Sequence, residues 1–186
     1  RGMYNWYGVA SSSSTTLTDG TSINGEYIQI SNSDSTAINL EELLVFEPLS
    51  VPYHDASNYY ARTAHLVGSN DSSALSAGSG NNVWELLSST TTVSGDGSTL
   101  KITDAPDTYV KIENTAEIGY KYYRYVISET GNNPYRTGAS GIAFTEFVDT
   151  DGDGVGNNAD ADDDGDGLSD LDEATNGTNP LLADTD

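Results

Sequence analysis

YKYYRYVIS, residues 120–128, sets the fold class. Aromatic and β-branched residues dominate it, and successive side chains of a strand point to opposite faces. On that reading Tyr123, Tyr125 and Ile127 alternate into a core, since large aromatics dominate sandwich interiors. Arg124 lies between two of them and is expected to pair with a carboxylate at the surface. The same alternation appears in GEYIQIS (25–31), where Glu26 and Gln29 flank or interleave Tyr27, Ile28 and Ile30. Further strand-like runs are MYNWYGVA (3–10), INLEELLVFE (38–47), YYARTAHLVGS (59–69), VWELLS (83–88), STLKIT (98–103), TYVKIE (108–113) and IAFTEFV (142–148). Between them lie segments rich in Gly, Ser, Asn and Asp, and Asp19-Gly20 and Asp96-Gly97 read as turns. LEELL (40–44) has helical spacing, but Val45 and Phe46 extend it as a strand and nothing caps it. Many short strands joined by such turns predict an all-β sandwich or jelly roll with Trp84 in its core.

The composition agrees. With 12 Tyr, 19 Gly, no Cys and 35% hydrophobic residues in 186, the chain suits one well-filled β domain plus an appendage. The absence of cysteine rules out a disulfide framework, so an extracellular domain of this type needs another staple, and a bound metal supplies one. No apolar stretch approaches the roughly 20 residues that cross a bilayer. The start at Arg1 rather than at Met reads as a fragment or a processed product.

Charge divides the chain. Residues 149–186 hold 13 of the 29 acidic residues and none of the 7 basic ones. Clustered Lys and Arg are what phosphate binding requires, so nucleic acid is not an expected partner. A block of like charge is commonly disordered, but here the spacing is ordered: DTDGDGVGNNADADDDGDGLSDLDE, from Asp149. Counting Asp149 as position 1, Asp151 and Asp153 fall at 3 and 5, Gly154 at 6, Val155 at 7, Asn157 at 9 and Asp160 at 12. The frame repeats with Asp162, Asp164, Asp166, Gly167, Leu168, Asp170 and Glu173. This is the pattern of a calcium loop. A hard cation takes six to eight oxygens at about 2.3–2.6 Å, and glycine permits the sharp curl that turns alternate side chains inward. The backbone oxygens of Val155 and Leu168 are expected to supply the mid-loop ligand. Glu173 reaches further than Asp160, so the second loop is expected to bind more tightly. A helical EF-hand is not predicted, because IAFTEFV before Asp149 is strand-like. A short helix from an N-cap at Ser169 to about Asn176 is predicted, ended by Gly177 and Pro180. Asp184 and Asp186 read as the start of a third loop.

The strings DTDGDGVGNNADADDDGDGLSDLDE and NGTNP resemble thrombospondin type 3 repeats. That resemblance implies successive loops that wrap calcium with little regular structure and that share ions between neighbours, with Asp160 and Asp163 as bridging candidates. The body, residues 1–148, resembles a discoidin-like, or galactose-binding-like, jelly roll through GEYIQI (25–30), HLVGSND (65–71), WELL (84–87), YKYYRYVI (120–127) and AFTEF (143–147). The long DSSALSAGSGNN insertion (71–82) and the lack of an obvious N-terminal calcium segment depart from that pattern. The resemblance implies loops at one end that bind sugars, lipid headgroups or proteins. PYHDASNYY (52–60) and NNPYRTG (132–138) are candidate ligand loops through His54, Asp55, Tyr59, Tyr135 and Arg136.

Catalysis is not expected: there is no Cys, only His54 and His65, no G-x-S-x-G elbow and no zinc set. His65 sits in a strand and reads as structural. Two functions remain: an extracellular or cell-surface adhesion or carbohydrate-binding module with a calcium-stiffened linker, or a fibre subunit that self-associates head to tail through calcium.

Overall fold

The structure is a computed structural model that describes residues 6–9, 14–32, 36–46, 61–75, 82–91, 109–130, 136–139 and 141–183. Its strands are β1 (Trp6–Val9), β2 (Ser14–Thr16), β3 (Ser22–Asn24), β4 (Glu26–Ser31), β5 (Leu40–Phe46), β6 (Ala61–Ser69), β7 (Glu85–Thr91), β8 (Tyr109–Glu113), β9 (Tyr122–Thr130), β10 (Arg136–Ala139) and β11 (Gly141–Glu146), with the helix α1 (Asp170–Asn176) in the tail. The architecture is all-β.

Two antiparallel sheets, ordered β4-β9-β6-β7 and β11-β5-β8, enclose the main core. Leu40, Leu43 and Val45 of β5 and Ile112 of β8 pack with Ala64 and Leu66 of β6 and with Tyr123, Tyr125 and Ile127 of β9. Each fully buried Leu contributes about 1.5–3 kcal/mol of transfer free energy. The predicted core residues Trp84, Tyr123, Tyr125 and Ile127 are all buried. Tyr123 satisfies its hydroxyl by donating to the Ile38 carbonyl (2.8 Å) and accepting from the Tyr120 amide (3.0 Å). Burial pushes its pKa up to about 12.

LEELL is a strand, as expected, and its helical spacing has a definite cause. The β5–β11 ladder pairs Glu42 with Thr145 but Leu40 with Glu146, so Glu41 is an extra residue. This bulge turns both Leu40 and Leu43 inward, three residues apart, where a regular strand would send them to opposite faces.

The expectation for Arg124 is overturned. It is 3% exposed and has no carboxylate within ion-pair distance among the described residues. The four-stranded sheet is covered on both faces: Leu17, Ala74 and Trp84 pack on Val67, Tyr122 and Val126, with Ile23 and Tyr27 against them. The covering layer is the β2–β3 hairpin and a short 3-10 helix, Ser72–Leu75. Arg124 lies in that second core with its guanidinium over the rings of Tyr27 (4.0 Å) and Trp84 (4.3 Å). Its Nε donates to Gln29 Oε1 at 2.9 Å and its Nη2 to the Ala74 carbonyl at 3.0 Å. Asp71 caps the 3-10 turn that presents this carbonyl, accepting the Ser73 amide at 2.7 Å. Burial lowers the pKa of Arg124, and the ring faces and acceptors replace water as the partners of the charge.

The other turn and loop expectations divide. Asp19-Gly20 is the β2–β3 turn: Gly20 has φ +86°, and Asp19 accepts the Thr21 amide and hydroxyl at 2.8 and 2.7 Å. NNPYRTG is not wholly a loop. Arg136 to Gly138 belong to β10, whose backbone pairs with β1, a ladder that no hydrophobic pattern in RTGA announces. His54, Asp55, Tyr59 and Tyr135 lie outside the described residues, as do Asp96-Gly97, STLKIT, Asp184 and Asp186. His65 bridges two hydroxyls, Ser89 Oγ and Ser128 Oγ, each at 2.8 Å.

Candidate metal centre

Beyond β11 the backbone is shaped by aspartate side chains rather than by sheet or helix. The two loops, beginning at Asp149 and Asp162, repeat the same hydrogen bonds. At position 1, Asp149 Oδ2 accepts the Gly154 amide at 3.0 Å and Asp162 Oδ2 that of Gly167 at 2.9 Å. At position 3, Asp151 and Asp164 accept from Asp153 and Asp166 at 3.0 and 3.2 Å. At position 5, Asp153 and Asp166 accept from Val155 and Leu168, both at 2.8 Å. Four glycines, Gly152, Gly154, Gly165 and Gly167, have φ between +69° and +98°, the left-handed region that other residues adopt only with strain. The result is two convergent triads. Carboxylate oxygens of Asp149, Asp151 and Asp153 lie within 4.8 Å of one another, and so do those of Asp162, Asp164 and Asp166.

Three negative charges at this separation repel, and the tail has no Lys or Arg to answer them. In the second loop burial adds to the problem. Glu173 is 0% exposed, and among the described residues neither of its carboxylate oxygens has a hydrogen-bond partner. Asp162 Oδ1, Asp163 Oδ1 and Asp164 Oδ2 are likewise buried without one. Burial first, and then the charge of Asp164, raises the pKa of Glu173, and the nearby Thr178 hydroxyl opposes this only in part. That hydroxyl is 3.4 Å from the main-chain carbonyl of Glu173. Buried carboxylates left without donors are costly unless a cation joins them. The donor set therefore fits a metal ion: oxygen only, a convergent triad with Glu173 buried outside its 4.8 Å span, and unspent lone pairs on Asp162, Asp164 and Glu173.

Helix α1 holds Glu173 in place and forms where expected. Ser169 is the N-cap and accepts the Asp172 amide at 3.2 Å, and Gly177 closes the helix at φ +82° with its amide on the Glu173 carbonyl at 2.7 Å. Asp170, Asp172 and Glu173 in the first turn suit the positive end of the helix.

The remaining predicted ligands are placed as follows. Asn157 and Asp170, at position 9, accept the position-2 amides of Thr150 and Asp163, both at 3.0 Å, and so clamp each loop shut. Asp160 accepts the amides of Ala161 (2.6 Å) and Asp162 (3.1 Å) and stands at the junction of the loops. Asp163 meets it there. It is 8% exposed, and burial followed by Asp170, Asp160, Asp164 and Asp151 raises its pKa. Asp151 also packs on Gly165, where a Cβ would stand 2.8 Å from its Oδ2. Val155 and Leu168 are partly buried at position 7.

Sequence reading missed the body's share. Asn39, just before β5, donates from Nδ2 to Asp149 Oδ2 at 3.2 Å, and Glu117 accepts from Asn158 Nδ2. A contact across more than a hundred residues leaves no local trace.

No helix among the described residues is long and apolar enough to cross a membrane. No curated protein and no solved structure matches the chain. Residues 162–183, which span the second loop and α1, match the bacterial TSP3 repeat, a calcium-binding repeat typical of extracellular proteins.

Proposed function

We propose that the chain is an extracellular calcium-binding module in which each tail loop holds a calcium ion and the loaded tail is a stiff connector from a discoidin-like body. The observation that carries the reading is Glu173, fully buried, with both oxygens unpartnered among the described residues and within electrostatic reach of Asp164 and Asp166, outside the 4.8 Å span of the Asp162, Asp164 and Asp166 triad. An oxygen-only donor set without His or Cys suits calcium rather than zinc or copper, and a flexible ring of carboxylates plus a backbone carbonyl suits calcium better than the stricter octahedron of magnesium. Asp149, Asp151, Asp153 and the carbonyl of Val155 would hold the first ion. Asp162, Asp164, Asp166, the carbonyl of Leu168 and Glu173 would hold the second. Asn157 and Asp170 keep the loops closed, and Asp160 is the position-12 candidate of the first loop.

Calorimetric titration of calcium into the whole chain tests this. Binding at about millimolar calcium or below is expected, with the tighter phase lost in Glu173→Gln. No binding heat in that range refutes it.

For the body we propose adhesion to a glycan or surface protein, without catalysis, supported by the five discoidin-like segments in family order. Glycan-array binding that survives chelation is the expected result. Calcium-dependent polymerisation without a glycan hit would turn the reading to a fibre subunit.

A further inference from the structure

We infer that the sandwich is part of the first metal site, so that filling the first loop and stabilising the sandwich are one equilibrium. The inference rests on the calcium reading above and concerns what the ion does to the body.

The first loop is seated on the sandwich just before its start and again at its middle. The Phe147 amide donates to the Asn39 carbonyl at 2.8 Å, and the Phe147 ring is buried. Further along, Val155 forms an antiparallel bridge with Ile118. In that bridge the Gly119 amide donates to the Gly154 carbonyl and the Gly156 amide to the Glu117 carbonyl, both at 2.8 Å. The approach is close: a Cβ on Gly156 would stand 2.7 Å from Glu117 Oε2 and 2.8 Å from the Phe147 ring. Glu117 has φ +48°, a strained value for a residue with a side chain, yet both its carbonyl and its carboxylate are committed to the tail.

Two consequences reach the proposed ligands. Backbone groups of an extended segment alternate in direction, so pairing Gly154 and Gly156 with the body turns the carbonyl of Val155 toward the loop. Asn39 Nδ2 and the Gly154 amide both hold Asp149 Oδ2, whereas its counterpart Asp162 Oδ2 has the Gly167 amide and, among the described residues, no such side chain. Asn39 is therefore a positioning residue for the first loop. It is also fixed to the core, between Ile38, whose carbonyl accepts from Tyr123, and the fully buried Leu40. An ion that requires this arrangement stabilises everything the arrangement depends on.

The whole chain provides a clean readout, because residues 149–186 contain no Trp, Tyr or Phe and near-UV circular dichroism reports the sandwich alone. With calcium at about 100 times its dissociation constant, the near-UV melting midpoint is expected to rise by about 5–10 °C. Asp149→Asn/Asp151→Asn is expected to lose that rise while calorimetry still detects the second loop. Asn39→Ala, titrated well below its own midpoint, is expected to weaken the first loop about tenfold and leave the second unchanged. If calorimetry finds both loops filled and the midpoint moves by less than about 1 °C, the inference is overturned and the calcium reading stands. If no calcium binds, both fall. If Asn39→Ala lowers the midpoint without changing first-loop affinity, its positioning role is overturned.

Discussion

Truncating Arg124 exposes the energetics of the sandwich's second core. Arg124→Ala strips the guanidinium from between Tyr27 and Trp84 and leaves Gln29 and the Ala74 carbonyl without their donor. Two desolvated ring contacts contribute about 1–2 kcal/mol each, and orphaning the buried Ala74 carbonyl costs about 1–3 kcal/mol, with less for the half-buried Gln29 Oε1, which water can reach. The contact to Thr15 Oγ1, at 3.5 Å, adds little. Against these losses stands the desolvation of the cation, several kcal/mol, which truncation relieves. The net loss expected is about 2–5 kcal/mol, the range for truncating a large buried side chain to alanine. Arg124→Met refills the slot without a charge and is expected to lose only about 1–2 kcal/mol. Arg124→Lys falls between, since an ammonium lacks the planar fork that stacks and donates at once. Denaturant unfolding of the whole chain, followed by tryptophan fluorescence at constant m-value, measures the series. A loss below about 1 kcal/mol for the alanine variant, or a methionine variant as damaged as the alanine one, would refute the reasoning.

Glu173→Gln is expected to act with opposite signs. It removes a buried charge and steadies α1 in chelator, but weakens binding when calcium is present, as hydrogen exchange of residues 170–177 and calorimetry will read. The pH dependence without metal follows from the raised pKa values of Asp163 and Glu173. A carboxyl that holds its proton more tightly folded than unfolded contributes most stability below its ordinary pKa and loses it as pH rises through the folded value. In chelator, amides of the second loop are therefore expected to gain protection as pH falls from 7 toward about 4, and loss of protection over that window would contradict the burial of these groups. Gly25→Ala places a Cβ 2.0 Å from the Ile127 carbonyl oxygen, a backbone atom that cannot swing aside. A loss of about 1–3 kcal/mol is expected in the same unfolding assay.

Much of the tail can be read from its letters because its interactions are short-range. The Asp at positions 1, 3 and 5 of each loop bonds an amide two to five residues away, each tight turn carries its own glycine, and Ser169 and Gly177 mark the ends of α1. The inward face of β9 was equally plain. The outward face was not, because the layer that covers it, Ser14–Asn24, is rich in Ser and Thr and reads as solvated chain rather than as a lid. The bulge at Glu41 hid in the same way: Leu40 and Leu43 look helical until β11 supplies the pairing that makes Glu41 the extra residue.

From the sequence alone came an all-β body, a metal-loop tail with its triads at fixed spacing, and a short capped helix, because strand alternation, side-chain-to-backbone turns and helix caps act over a few residues. Only the tertiary structure decided that Arg124 is buried, that Asp163 is buried and that Asn39 steadies Asp149. Each of these depends on segments distant in the chain meeting in space, and burial and charge proximity are properties of that meeting.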